Sequence, residues 1–220
     1  MIEYSIVSTG SVGNCVVLDT RVMVDAGVSY VKVEPYMEKL KLLLLTHQHS
    51  DHFKPSTVRR MAFEKPKLRI GCPPYMAGLL VDAGVAKNQI VVMRQNLMYG
   101  FGICNVIPFS VFHDVPNVGY KIHFPNCRVF YATDMGHLNG IVAKGYDLYL
   151  VEANYEDDEI KARMDAKIAQ GIYPYEQRAL RYHMSKAKCN DWLVKNMGAQ
   201  SEYAYLHCHT EVVKAESEDT

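Results

Sequence analysis

The chain has no excess of either charge, no closely spaced cysteine pair, no internal repeat and no apolar run of membrane-spanning length. Each absence removes a class of protein. Lysine plus arginine and aspartate plus glutamate number 24 each, and no basic run exceeds a dipeptide. Proteins that grip long nucleic acids through many phosphates depend on counterion release by a positive face, so this balance disfavours such a partner and keeps a small anionic substrate open. The six cysteines, Cys15, Cys72, Cys104, Cys127, Cys189 and Cys208, form no Cys-x-x-Cys pair, as suits reduced thiols in a cytoplasmic protein. The segment from Met1 to Ser8 carries Glu3 where a signal peptide needs cations and lacks a long apolar centre, so neither secretion nor membrane insertion is expected. No Pro/Gly/Ser linker divides the 220 residues, which predicts one domain over 1–220, long enough to bury about 70% of its unfolded surface. Only the acidic tail from Glu216 to Thr220 reads as solvated and frayed.

What the chain does have is concentrated at one place. The apolar run Leu42-Leu43-Leu44-Leu45 stops at Thr46-His47-Gln48-His49-Ser50-Asp51-His52, so a strand delivers three imidazoles and a carboxylate to its carboxyl end. That donor set suits borderline divalent metals such as Zn(II) or Mn(II), and two ions rather than one. Around it the pattern alternates between short β-runs and helices. Strands are predicted at Tyr4–Val7, Cys15–Leu18, Val22–Val24, Leu42–Leu45, Leu68–Ile70, Ile90–Met93, Cys104–Ile107, Val118–His123, Val129–Ala132, Leu148–Val151 and Tyr203–Leu206. Helices are predicted from Pro55 to Phe63, from Pro73-Pro74 to Gly84, from Glu156 to Ala169 and from Ser185 to Asn196. By itself this mixture supports only an α/β or α+β class.

The His47-x-His49-x-Asp51-His52 motif resembles that of the metallo-β-lactamase superfamily, and the resemblance runs along nearly the whole chain. It implies an α/β fold of the four-layer αββα sandwich type. It also implies later ligands at strand ends. His113, in His113-Asp114-Val115-Pro116-Asn117-Val118-Gly119-Tyr120, resembles the third metal motif of the tRNA 3′-processing endonucleases (tRNase Z), and Asp134 resembles the carboxylate that bridges both metals. By that resemblance His47, His49 and His113 hold one metal, Asp51 and His52 most of the second, and Asp134 both. The last ligand falls in His207-Cys208-His209, where alignment of the strand end selects His207 over His209. Asp25 resembles an early aspartate that supports the metal loop without ligating.

Three features resemble the phosphodiesterase branch. Asp51 sits in the second metal group, as in hydrolases outside the true β-lactamases, and is counted among the catalytic residues. Tyr182-His183-Met184-Ser185 is similar to the element whose histidine protonates the leaving oxygen, and Glu152-Ala153-Asn154 to the element whose glutamate orients that histidine. The sequence departs from the family by carrying Val151 at the family's histidine position and Tyr155 where bacterial relatives often carry histidine. A closer likeness, to the WalJ-like bacterial and phage hydrolases, covers Ser8 to Cys15 and Gly171-Ile172-Tyr173-Pro174-Tyr175. Asn14, with the amides of its glycine turn, Tyr120, Arg178 and Arg181 are the candidate substrate contacts. His123 reads as structural, and His137 matches no motif.

The resemblance implies a dinuclear metal-dependent phosphodiesterase acting on a small phosphodiester such as a cyclic nucleotide, because phage enzymes that destroy cyclic-nucleotide signals share this chassis. The long glycine- and proline-rich arm of tRNase Z has no counterpart. A WalJ-like or tRNase Z-like DNA or RNA nuclease is the first alternative, and a lactonase or thioesterase of the same fold the second. Relatives of this kind are often homodimers, with Tyr173-Pro174-Tyr175 as a candidate contact.

Overall fold

The computed structural model describes residues 2–208. His209 and the acidic tail at 216–220 lie outside the described residues. In chain order the elements are β1 (Tyr4–Ser8), β2 (Cys15–Leu18), β3 (Val22–Val24), α1 (Tyr30–Val33), β4 (Leu42–Leu44), α2 (Pro55–Glu64), β5 (Arg69–Cys72), α3 (Ala77–Asp82), β6 (Ile90–Val92), β7 (Tyr99–Gly100), β8 (Asn105–Val111), β9 (Asn117–Phe124), β10 (Cys127–Ala132), β11 (Leu148–Glu152), α4 (Asp157–Ala169), α5 (Glu176–Tyr182), α6 (Lys186–Asn196) and β12 (Glu202–Leu206).

Two six-stranded sheets form, ordered β1-β2-β3-β4-β5-β6 and β12-β11-β10-β9-β8-β7. The parity of their central strands makes them a sandwich. Leu42 and Leu44 point into the apolar layer shared with Val118, Tyr120, Val129 and Leu150, while Leu43 faces α2 and the layer of Val58 and Met61. In the second sheet Val129 and Tyr131 face inward, and Phe130 and Ala132 face the layer of Cys189 and Leu193 on α6. Strands buried on both faces read as continuous apolar runs, and successive side chains serve opposite layers. The result is α, β, β, α, as the family resemblance implied.

The sequence missed three elements: α1, the two-residue β7 and α5. The first two are too short for a period to register, and α5 lies in Glu176-Gln177-Arg178-Ala179-Leu180-Arg181-Tyr182, where no residue is fully buried.

The parallel strands β3, β4 and β5 end on the same edge, as do β10, β11 and β12 of the other sheet. The candidate site gathers there. Three of its residues follow strands in the left-handed region: Asp25 after β3 at φ 59°, Asp134 after β10 at φ 53° and His207 after β12 at φ 52°. Non-glycine residues rarely adopt this conformation, and such strain concentrates at functional sites held by their surroundings.

Candidate metal centre and its histidine–carboxylate pair

The loop after β4 carries the motif into a cradle built by Asp25. The Asp25 carboxylate accepts from the Thr46 amide at 2.9 Å and from the Thr46 hydroxyl, and lies 2.7 Å from Nδ1 of His52. That contact fixes the ring and leaves Nε2 for the site. The opposite sheet contributes Tyr120, whose hydroxyl donates to the Leu45 carbonyl. Gly27 allows the closest approach, because a Cβ there would lie 1.8 Å from the Asp51 carbonyl oxygen.

Two ligand groups converge at the sandwich edge. Nitrogens of His47, His49 and His113 form one group, and atoms of Asp51, His52, Asp134 and His207 form the other, each within 4.8 Å of its fellows. His47 Nε2 is 3.1 Å from His49 Nδ1, and His113 Nε2 is 3.4 Å from that same atom. Asp134 lies between the groups, with Oδ2 at 2.7 Å from His52 Nε2 and Oδ1 at 3.6 Å from His207 Nε2 and 4.0 Å from His113 Nε2. His207 Nε2 is buried without a hydrogen-bond partner. An unpartnered buried nitrogen facing two carboxylates, beside the four imidazoles of His47, His49, His52 and His113, fits a divalent metal site.

Electrostatics agree with that fit. Burial opposes the charge of His207, but Asp134 and the nearby carboxylates of Asp51 and Glu152 overcome it and raise its pKa to about 10. His52 is likewise raised, against burial, by Asp134 and Asp25. Asp134 is held well below the usual carboxylate range because His52 and His207 outweigh the cost of burial. His47 goes the other way, lowered by burial and by its imidazole neighbours.

Beside the metal groups, Glu152 at the end of β11 is fully buried and accepts from the Met135 amide at 2.7 Å. Its other oxygen lies 2.6 Å from Nδ1 of His183. His183 stacks on His207 with ring centroids 5.0 Å apart.

Two expected substrate contacts are corrected. Tyr120 is wholly buried in the layer between the sheets and cannot meet a ligand; it buttresses the strand end that carries Thr46 and His47. Asn14 is 2% exposed and both ends of its amide are engaged: Oδ1 accepts from the Gly10 amide, Nδ2 donates to the Gly10 and Asp51 carbonyls, and Nδ2 lies 2.8 Å from His52 Nε2. It ties the glycine turn to the metal loop. Arg178 forms an ion pair with Asp114, and Arg181 lies over the Tyr182 ring at 5.1 Å. His123 meets the Tyr146 hydroxyl at 2.8 Å, in keeping with a structural role.

The motif that opens at His113 assigns no role to Asp114, which the structure brings to the first ligand group. Its Oδ1 lies 3.0 Å from His113 Nε2 and 3.5 Å from His49 Nε2. Asn154 was passed over too, and its Nδ2 donates to the His207 carbonyl at 2.9 Å and lies 3.1 Å from His207 Nδ1. Adjacency to a motif residue was the available signal in both cases.

Two ligand groups on the open edge of an αββα sandwich, with a buried carboxylate holding a histidine beside them, define a metal-dependent hydrolase class. The chain belongs to the family described as the beta-lactamase superfamily domain, whose model matches residues 20–196. It is 26% identical to the exodeoxyribonuclease WalJ of Streptococcus pneumoniae, over 93% of this chain and 80% of that protein. It is 25% identical to the exodeoxyribonuclease YycJ of Bacillus anthracis, over 79% and 68% respectively. Among solved structures, the metallo-β-lactamase fold protein YhfI of Bacillus subtilis superposes with a TM-score of 0.73 at 16% identity, covering 96% of this chain and 88% of the other.

Proposed function

We propose that this protein is a dinuclear-metal phosphodiesterase acting on nucleotide phosphodiesters, with Zn(II) or Mn(II) as its metals. The observation that carries the reading is the 2.6 Å contact between Glu152 Oε1 and His183 Nδ1 at the edge of the metal groups. Esters with alkoxide leaving groups need a proton delivered as the bond breaks. Glu152 accepts from the Nδ1–H, which orients the ring and leaves Nε2 to give its proton to the departing oxygen. His47, His49 and His113 are assigned to one metal, Asp51, His52 and His207 to the second, and Asp134 to both. Divalent ions held there supply Lewis acidity, acidifying water and neutralising charge on the phosphoryl oxygens.

For the substrate, two readings carry an observation each. The names of the two curated relatives favour the end of a DNA strand. The zero net charge favours a cyclic nucleotide or another small diester. A thioester is supported less, because its thiolate departs without the proton that the His183–Glu152 pair would deliver; a lactone, which leaves as an alkoxide, is disfavoured only by the names of the two relatives. Purified protein loaded with Mn(II) or Zn(II) should hydrolyse bis-p-nitrophenyl phosphate and either single-stranded DNA or cyclic nucleotides. Turnover of lactones or thioesters alone would refute the assignment. A homodimer is part of the same reading, supported by the exposed rings of Tyr173 and Tyr175, and light scattering at micromolar concentration should give twice the 25.0 kDa chain mass.

A further inference from the structure

Although the chain is neutral overall, its cations are not evenly spread. An open cleft of about 460 Å³ is lined by Arg181, Lys188, Lys195, His137 and Trp192, with Asp191 as its carboxylate, and reaches the His183 segment through Met184, the next residue in the chain. Lys188, Trp192 and Lys195 stand at helical spacings of four and three on α6, so they share one face. Among the described residues neither lysine has a carboxylate within ion-pair distance. Fixed cations left without partners on a concave surface raise the local concentration of anions.

His137, which lines the cleft, is the outer ring of an aromatic stack. The Phe112 ring stacks on His137, with centroids 5.6 Å apart and planes within 4°, and on Tyr182 at 5.8 Å. Phe112 is 45% exposed, an unusual state for phenylalanine, and it directly precedes His113. Gly136 makes the arrangement possible, since a Cβ there would lie 2.6 Å from the Arg181 carbonyl oxygen and 3.3 Å from the Phe112 ring. The segment carrying His137 therefore closes against the end of α5, and the ladder meets the cations.

We propose that this cleft is a binding track for single-stranded DNA, in which a base stacks on the exposed His137 ring at the outer end of the Tyr182–Phe112–His137 ladder while Arg181, Lys188 and Lys195 hold successive phosphates. The inference rests on the phosphodiesterase reading above and selects the strand over the small diester. A single strand is required because duplex bases are already stacked, whereas free bases gain from an exposed aromatic face. The cleft volume also lies within the range of nucleotide-sized ligand sites.

The test is fluorescence anisotropy of a labelled short phosphorothioate oligodeoxythymidylate, which resists hydrolysis, on metal-loaded protein over a range of salt. Lys188→Ala with Lys195→Ala should weaken binding and reduce the log–log salt slope by about 1.4, from two lost phosphate contacts at about 0.7 each. His137→Ala should weaken it by at least about fivefold, and His137→Phe should restore it. Each variant is first checked for wild-type metal content. Unchanged affinity and slope in the lysine variant overturns the track, even if the wild type cleaves phosphodiesters. Strand binding that depends on the lysines, in a protein that hydrolyses no phosphodiester, overturns the phosphodiesterase reading while leaving the track intact. Tighter binding of the matching RNA, or lysine-dependent binding only to phosphatidylserine vesicles, overturns the commitment to DNA.

Discussion

Glu152 accepts from the Met135 amide with one carboxylate oxygen and lies 2.6 Å from His183 Nδ1 with the other, so the catalytic candidate is held by a residue itself locked to the segment after Asp134. The same Glu152 oxygen is 3.4 Å from His207 Nδ1. One buried acid thus lies against both the candidate proton donor and a metal-ligand candidate.

His183→Ala should retain metal and fold normally while losing roughly 10²–10⁴-fold in kcat on a phosphodiester with an alkoxide leaving group. On a p-nitrophenyl diester, whose leaving oxygen departs without a proton, the loss should be far smaller. Steady-state kinetics on the two substrates decide the matter. Equal losses would mean that His183 positions substrate rather than giving a proton.

Metal-loaded wild type should contain close to two transition metals per chain by elemental analysis, and Asp51→Ala about one. His207→Ala should also lose metal. His209→Ala, altering a residue outside the described range, should keep both ions. The reverse pattern in the two histidine variants would move the ligand to His209.

Metal uptake should release protons. In the metal-free protein His207, raised to about 10, holds its proton at pH 8, and His52 is shifted in the same direction. A metal takes only the neutral imidazole, so binding at pH 8 expels at least the His207 proton and affinity climbs as pH rises toward 10. Calorimetry in buffers of different ionisation enthalpy reads the number directly. A heat independent of buffer would show that both rings are already neutral.

Gly27→Ala should damage the metal loop without touching a ligand, because the added Cβ would meet the Asp51 carbonyl at 1.8 Å and the backbone must move. A destabilisation of about 3 kcal/mol is expected, a fall in Tm of about 6–12 °C for a chain of this size, with weakened metal binding. Thermal melts with and without metal would register both effects. An unchanged melt would mean that the loop has room to yield.

The sequence by itself determined the candidate metal-binding motif, because His47, His49, Asp51 and His52 are local: one strand and one turn deliver four donors close together in the chain. It also determined the central strands, whose unbroken apolar runs can only be buried on both faces. Contacts between distant segments were decided by the tertiary structure alone. Nothing local marks Tyr120 as a strut beneath Leu45, because its environment depends on how the two sheets face each other. Asn14 reads as a free loop amide until the metal loop packs against it from 37 and 38 positions away. The cationic cleft is the clearest case. Arg181, Lys188 and Lys195 are scattered in a chain of zero net charge, and they become one surface only when α5 ends against Gly136 and α6 turns its face beside His137. Net charge sums over the whole chain, whereas the potential a ligand meets depends on the distances that the fold sets.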